Sequence, residues 1–165
     1  KIGALPYLNG RRFTNNHETL IWAVKNKDCK GYTFNYDLLK EVNDGKQMKD
    51  TDWVFSICNG AERLRDKNGI KLHNTQKPLK LIQRVILTAS NEGDLILDPF
   101  LGSGTTAVAA EELGRKWIGI EKNKKYVELA KNRIDMLRNK NVNKISIKSD
   151  LQSNKEKYLC PVQKE

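Results

Sequence analysis

One stretch of the sequence carries side chains suited to binding a charged small molecule. Residues 95–106 read Leu-Ile-Leu-Asp-Pro-Phe-Leu-Gly-Ser-Gly-Thr-Thr, so a carboxylate, an aromatic ring, two glycines and three hydroxyls lie between an apolar strand and a helix. The carboxylate of Asp98 attracts an ammonium group. The glycines allow close backbone approach, and the start of a helix holds a carboxylate. The stretch therefore predicts a ligand with both an ammonium and a carboxylate.

Two other ligand classes fit this stretch less well. Gly102, Gly104 and Ala107 satisfy the loose G-x-G-x-x-A spacing of a dinucleotide site, and Glu121 ends the next predicted strand. Asp98, however, lies between the strand and the first glycine, where its charge would repel a pyrophosphate. A phosphate loop of the Walker type is excluded because no Gly-Lys-Ser/Thr follows at the required distance.

The elements around this stretch alternate in type. Apolar spacing predicts a helix over 79–89, a fully buried parallel strand over 95–97, a helix over 107–113, a strand over 117–120 and a helix over 127–137. This order is typical of an α/β, Rossmann-like fold with a doubly wound, mostly parallel sheet, incomplete in this chain.

The flanking segments are less regular. We expect strands at Glu18–Val24 and Thr51–Ile57, a short helix at Leu38–Val42 and a short final strand at 143–148. The tail after Asp150 has little apolar content and is predicted to be loose.

Composition restricts the function classes. The 165 residues are 38% hydrophobic and 30% charged, and no apolar run approaches the length of a membrane helix. Cys29, Cys58 and Cys160 lack metal-like spacing, which argues against a metal site and for a reducing, cytoplasmic compartment. The net charge of +10 is uneven: residues 71–121 carry six basic and six acidic residues, whereas 122–165 carry twelve and five. A neutral centre with basic flanks favours a small-ligand core beside a polyanion surface.

Three blocks together resemble a known family. Thr75-Gln-Lys-Pro78, Asp98-Pro-Phe-Leu-Gly-Ser-Gly-Thr-Thr106 and Gly119-Ile-Glu121 resemble the S-adenosylmethionine half of a bacterial amino-group DNA methyltransferase of the permuted beta class. Upstream, residues 9–18, Tyr32–Tyr36 and Cys58–Arg63 resemble the adenine-N6 branch related to GANTC-modifying enzymes. The resemblance covers roughly residues 1–140.

The resemblance implies a cofactor, S-adenosyl-L-methionine, and a set of residues around it. The implied cofactor-binding residues are Thr75, Gln76, Lys77, Asp98, Phe100, Gly102, Ser103, Gly104, Thr105, Thr106 and Glu121. Glu121 would bind the ribose hydroxyls. Double-stranded DNA is the implied partner, with Arg11, Arg12, Arg63 and Arg65 as candidate contacts. Residues 1–70 would then face DNA, 71–140 would bind the cofactor, and 141–165 would form the final strand and basic tail.

One family element does not occur in this sequence. Family members carry an Asp/Asn/Ser-Pro-Pro-aromatic element that holds the target amino group, but Pro6, Pro78, Pro99 and Pro161 are never adjacent. We therefore expect no catalytic residue in this chain, which would be the C-terminal piece of a longer enzyme of a restriction-modification system. The catalytic segment would lie N-terminal to it, in cis or on another chain.

Several alternatives stay open at this stage. The chain alone is expected to be inactive, and it is either part of an adenine-N6 methyltransferase or a non-catalytic cofactor- and DNA-binding remnant or subunit. Cytosine-N4 specificity and a homodimer are compatible with the sequence. A nicotinamide-dependent dehydrogenase is disfavoured by the Asp98-Pro99 pair.

Overall fold

The structure is organised around a β-α-β unit. The computed structural model describes residues 17–41, 43–46 and 53–157, with side chains described as far as residue 140. Its elements are α1 (Tyr36–Glu41), a 3-10 turn (Gly60–Glu62), α2 (Leu79–Ala89), β1 (Leu95–Asp98), α3 (Thr105–Glu112), β2 (Lys116–Gly119) and α4 (Lys124–Lys157).

The two strands form a parallel sheet that fixes the position of the candidate site. Leu95 pairs with Lys116 and Asp98 with Gly119, so the carboxyl ends of both strands meet at one edge. Two parallel strands require a crossover connection, and α3 provides it. This arrangement confirms the predicted α/β, Rossmann-like class, and within the described residues the sheet has two strands.

Helix α3 is the centre of the core because its side chains are small. Ala107, Ala109 and Ala110 are completely buried. Ala109 and Ala110 pack with Ile86 of α2, whereas Ala107 packs with Ile134 of α4. Small residues permit this close approach from two directions at once.

The other face of the sheet is largely uncovered in the described residues. Leu95 and Leu97 of β1 are 59% and 61% exposed, and Ile118 and Ile120 are 50% and 56% exposed. The prediction that residues 95–97 are fully buried was therefore wrong. Alternation along a strand places Ile96 on the opposite face, where it packs against the core of α2 and α3.

Three segments predicted as strands are not strands in the part of the chain that the structure describes. Residues 17–24 form no strand. Of the predicted strand Thr51–Ile57, the first two residues lie outside the described part, and within residues 53–57 Ser56 alone forms a bridge. Residues 143–148 continue α4, which also extends past Asp150 to Lys157, so the predicted strand and loose tail were wrong there. Extending an existing helix avoids the cost of nucleation, whereas a lone strand satisfies no backbone groups. The predicted helix at Leu38–Val42 corresponds to α1.

None of the helices in the described ranges is both long and apolar enough to span a membrane.

The asymmetric burial of the sheet predicts unequal costs for two truncations. Ile86→Ala should lower the free energy of unfolding by roughly 2–4 kcal/mol, because it opens a cavity beside Ala109 and Ala110. Leu95→Ala removes a side chain that is already 59% exposed and should cost less than about 1 kcal/mol. Urea unfolding of both variants measures the difference. Equal losses would mean that the outer face of β1 is covered in solution.

Candidate functional site

A cavity of about 210 Å³ lies at the carboxyl ends of the two strands. The structure brings together around it all but one of the predicted cofactor-binding residues: Thr75, Gln76, Lys77, Asp98, Phe100, Gly102, Ser103, Thr105, Thr106 and Glu121. The exception, Gly104, does not line the cavity. It is the N-cap residue of α3.

Both glycines of the turn between β1 and α3 are required by backbone geometry. Gly102 and Gly104 have φ angles of +54° and +79°, which side-chain-bearing residues rarely adopt. A Cβ added at Gly104 would lie 2.7 Å from the Cβ of Ala130 in α4, and one at Gly102 would lie 2.9 Å from Nε2 of His73. The turn therefore packs closely against two neighbouring segments.

Asp98 ends β1 and its carboxylate shapes the turn. Its Oδ1 accepts a hydrogen bond from the Phe100 N–H at 2.9 Å, while its backbone carbonyl accepts one from Ile120 at 2.9 Å. The second carboxylate oxygen accepts no hydrogen bond from any residue that the structure describes. Because Asp98 lines the cavity, this oxygen is available to a donor that enters it.

Glu121 connects the end of β2 to the glycine turn. Its Oε2 accepts the Gly102 N–H at 2.8 Å and its Oε1 accepts the Asn123 N–H at 2.7 Å. The hydrogen bond from Asn123, more than that from Gly102, lowers the pKa of this carboxyl below its ordinary value. Each oxygen keeps a second lone pair, so Glu121 is an ionised, oriented acceptor at the cavity.

The segment before α2 lines the cavity with groups that already have partners. Gln76 is 5% exposed, and its side-chain amide bonds to the backbone of Leu64 at 2.9 Å and Glu62 at 2.8 Å. The Nζ atom of Lys77 lies 2.8 Å from Oε2 of Glu18. These contacts fix the path of the segment, while Thr75 beside them is exposed.

Two hydroxyl residues of the turn face inward. Ser103 and Thr105 are 3% and 6% exposed, and both bond to Nη1 of Arg133 in α4. Sequence reasoning missed Arg133 because the sequence does not distinguish it from the other basic residues of α4, and its partners Ser103 and Thr105 lie 30 and 28 positions away.

Sequence reasoning also gave no site role to His73, which borders the cavity. Its ring meets Tyr126 edge-on at 4.4 Å between centroids. Its Nδ1 is buried and has no hydrogen-bond partner within the described part of the chain. Burial lowers the pKa of His73 below its ordinary 6.5, so the neutral imidazole is favoured. The signal in the sequence that could have suggested His73 is its position two residues before Thr75.

A larger cleft of about 1160 Å³ adjoins the cavity and shares Thr75, Gln76 and Lys77 with it. Arg63 and Arg65, two of the predicted DNA contacts, line this cleft. Each arginine also donates to a backbone carbonyl at 2.6 Å, Arg63 to Asn74 and Arg65 to Gly69. The other two predicted contacts, Arg11 and Arg12, lie outside the described residues.

Within the described ranges, no group of three or more His, Cys, Asp or Glu residues could hold a metal ion.

Comparison with known proteins gives a consistent family. A family model for N6/N4 enzymes, described as DNA methylase, matches residues 1–132. The chain is 46% identical over 134 residues to the Type II methyltransferase M.HinfI of Haemophilus influenzae, covering 81% of this chain and 37% of that protein. It is 47% identical over 135 residues to the Type II methyltransferase M2.DpnII of Streptococcus pneumoniae, covering 82% and 48%. The chain thus spans less than half the length of these two curated relatives.

Among solved structures, the crystal structure of the M1.HpyAVI-SAM complex is 49% identical, with a TM-score of 0.37. That match covers 37% of this chain and 30% of the other.

The contact between Gly104 and Ala130 predicts a stability difference between two glycine positions. Gly104→Ala should destabilise the protein more than Gly93→Ala, although both glycines have a positive φ, +79° and +84°. A Cβ at Gly93 meets nothing within 4 Å, so only Gly104→Ala adds a collision to the backbone strain. We expect a difference of roughly 1–3 kcal/mol in unfolding free energy, measured by urea denaturation. Similar losses would show that α4 moves away from the turn without cost.

Burial of His73 predicts a pH dependence of stability. Its folded-state pKa lies below 6.5, so the unfolded chain binds more protons once the pH falls below that value. The free energy of unfolding should therefore fall as the pH drops from about 6.5 towards the lowered pKa. Glu121 favours the protonated ring, whereas Arg63 and Arg133 oppose it.

Replacing the ring isolates this contribution. Urea unfolding between pH 8 and 5.5 should show a smaller decline for His73→Gln than for the unchanged protein. His17, the other histidine, is present in both proteins and cancels. Glu121 does not titrate within this pH range, because its pKa is lowered below 4.5 and the range ends at pH 5.5. Parallel curves would show that His73 titrates normally.

Proposed function

We propose, since this chain belongs to the DNA methylase family, that it forms the cofactor-binding part of a Type II DNA methyltransferase acting on the N6 amino group of adenine. The observation that carries the proposal is the cavity at the edge of the sheet. There Asp98 and Glu121 both line the cavity, next to the turn that leads into α3.

The charge pattern of this cavity suits S-adenosyl-L-methionine. The available oxygen of Asp98 would accept the ammonium of the cofactor's amino-acid end. Thr106 and the unpaired N–H groups of the first turn of α3 would hold its carboxylate. Glu121 would accept the ribose hydroxyls through its remaining lone pairs. When bound, the cofactor supplies a methyl group that is already activated by its sulfonium, so the protein mainly provides position and orientation.

The adjoining cleft suits nucleic acid. It continues from the cavity through Thr75 and Lys77 and contains Arg63, Arg65 and Lys71. Cationic side chains in a cleft attract phosphates, and we assign duplex DNA to this surface, with Arg11 and Arg12 as further contacts. The match to adenine-N6 patterns at residues 9–18 and Cys58–Arg63 favours adenine over cytosine. A role in a restriction-modification system of the cytoplasm follows from the same assignment.

The element that holds the target amino group would come from outside these 165 residues, in cis or on another chain. No two prolines are adjacent in the sequence, so a Pro-Pro-aromatic element does not occur in it. The cavity is smaller than the roughly 300–1,000 Å³ of typical ligand sites, and Phe100 at its rim is 87% exposed. A further segment packed on this side would enlarge the walls of the site and cover the ring.

A methylation assay tests the proposed function. Residues 1–165 alone should transfer no tritium from labelled S-adenosylmethionine to duplex DNA, because nothing in them holds a flipped adenine. Adding the proposed catalytic segment, in cis or as a separate polypeptide, should restore transfer. Digestion to nucleosides should then identify N6-methyladenine.

Asp98 provides the matched variants. Asp98→Asn in the reconstituted enzyme should weaken cofactor binding about 10- to 100-fold, the worth of a charge-assisted contact. Asp94→Asn, four residues earlier, is the control and should leave binding unchanged, because the Asp94 carboxylate accepts the Asn91 N–H at 2.7 Å and does not line the cavity.

Three results would contradict parts of the proposal. Transfer by residues 1–165 alone would refute the assignment of the catalytic element to another segment. N4-methylcytosine as the product would refute adenine specificity. Reconstituted protein that binds cofactor and DNA but transfers nothing would identify a non-catalytic subunit.

A further inference from the structure

Arg133 of α4 reaches the back of the turn that borders the cavity. Its Nη1 donates to the carbonyl oxygen of Ser103 at 2.6 Å and to Oγ1 of Thr105 at 3.2 Å, with a longer contact of 3.5 Å to Oγ of Ser103. One guanidinium thus connects the last residues of the turn to the first residue of α3.

The two residues that accept these bonds are buried. Ser103 is 3% exposed and Thr105 is 6% exposed. A buried carbonyl or hydroxyl that loses its donor retains its desolvation cost, and bonds from charged donors are stronger than neutral ones. Burial also lowers the pKa of Arg133, yet a guanidinium stays protonated in proteins. The turn is therefore braced by a permanent charge.

A second arginine on the same helix provides an internal comparison. Arg138 pairs with Glu111, which lies in the last turn of α3, at the far end from the cavity. Both arginines join α4 to α3, but only Arg133 contacts the residues that line the cavity. Loss of the Arg138–Glu111 pair should loosen only the packing of α4 on the end of α3. Loss of the Arg133 hydrogen bonds should loosen this packing and also free the turn.

We propose that Arg133 is a positioning residue, which holds residues 102–105 in the conformation that binds the amino-acid end of the cofactor. The inference rests on the proposed function for the identity of that ligand. The brace itself acts on the turn whether or not a ligand is present.

The first experiment measures the turn directly. Amide hydrogen exchange of residues 101–107 should speed up at least about tenfold in Arg133→Met, because the turn loses its charged donor. Arg138→Met should leave these amides within about twofold of the unchanged protein while loosening the end of α3. Equal acceleration in both variants would overturn the proposal, since it would show only general loosening of α4. If Arg133→Met does not fold, Arg133→Lys replaces it, because it keeps the charge but not the planar donor group.

The second experiment asks which part of the ligand depends on Arg133. S-adenosylhomocysteine carries the amino-acid end, whereas 5′-methylthioadenosine carries only the adenosine and sulfur. In NMR titrations, Arg133→Met should weaken binding of the first by about tenfold or more and of the second by less than about threefold. Arg133→Lys should recover part of the loss for the first ligand.

The outcomes separate the two proposals. Equal losses for both ligands would overturn the positioning role. Absence of S-adenosylhomocysteine binding by the unchanged protein, even at millimolar concentration and with the catalytic segment added, would refute the proposed cofactor site. The exchange comparison between Arg133 and Arg138 would still decide whether the brace exists.

Discussion

The close packing of the turn between β1 and α3 is the constraint on which the site depends. Glu121 fixes it from the end of β2 through the Gly102 N–H, and Ala130 of α4 leaves no room for a Cβ at Gly104. His73 fills the space beside Gly102. Because three separate segments meet the same few residues, the turn has one conformation only if all three are in place. The site is thus a product of the core rather than of the loop sequence alone.

Charges are distributed on two sides of this turn. Asp98 and Glu121 border the cavity, whereas Arg133 lies behind the turn and donates to its buried oxygens. Hydrogen bonds to the carboxylate of Glu121 lower its pKa, and burial keeps His73 neutral. The cavity is consequently negative where an ammonium or ribose would bind, and the positive end of α3 lies next to it. Negative carboxylates and the positive end of a helix thus lie within a few residues of each other. This charge pattern fits a ligand that carries an ammonium and a carboxylate close together.

The sequence predicts the parts of this arrangement that depend on local pattern. The periods of α2, β1, α3 and β2 were sufficient to predict the β-α-β unit. Most of the cavity residues were named because their blocks resemble a known family, not because of their spacing alone. The sequence does not predict which polar side chains already have hydrogen-bond or ion-pair partners. Gln76 bonds to Leu64 and Lys77 pairs with Glu18, and neither partner is a sequence neighbour. Arg133 was missed for the same reason. The strand predicted at Glu18–Val24 does not form in the structure, because apolar content does not show whether a ladder partner exists.

The face of the sheet that no described residue covers links folding to ligand binding. Leu97 lies on that face and directly precedes Asp98, while Ile120 lies there and directly precedes Glu121. A segment that packs on Leu97 and Ile120 therefore contacts the two strand ends whose carboxylates border the cavity. Binding free energies of two ligands on one protein are coupled reciprocally, so a segment that strengthens cofactor binding is itself bound more tightly when the cofactor is present. If the proposed catalytic segment packs there, the proposed cofactor would act as part of the interface that holds this segment.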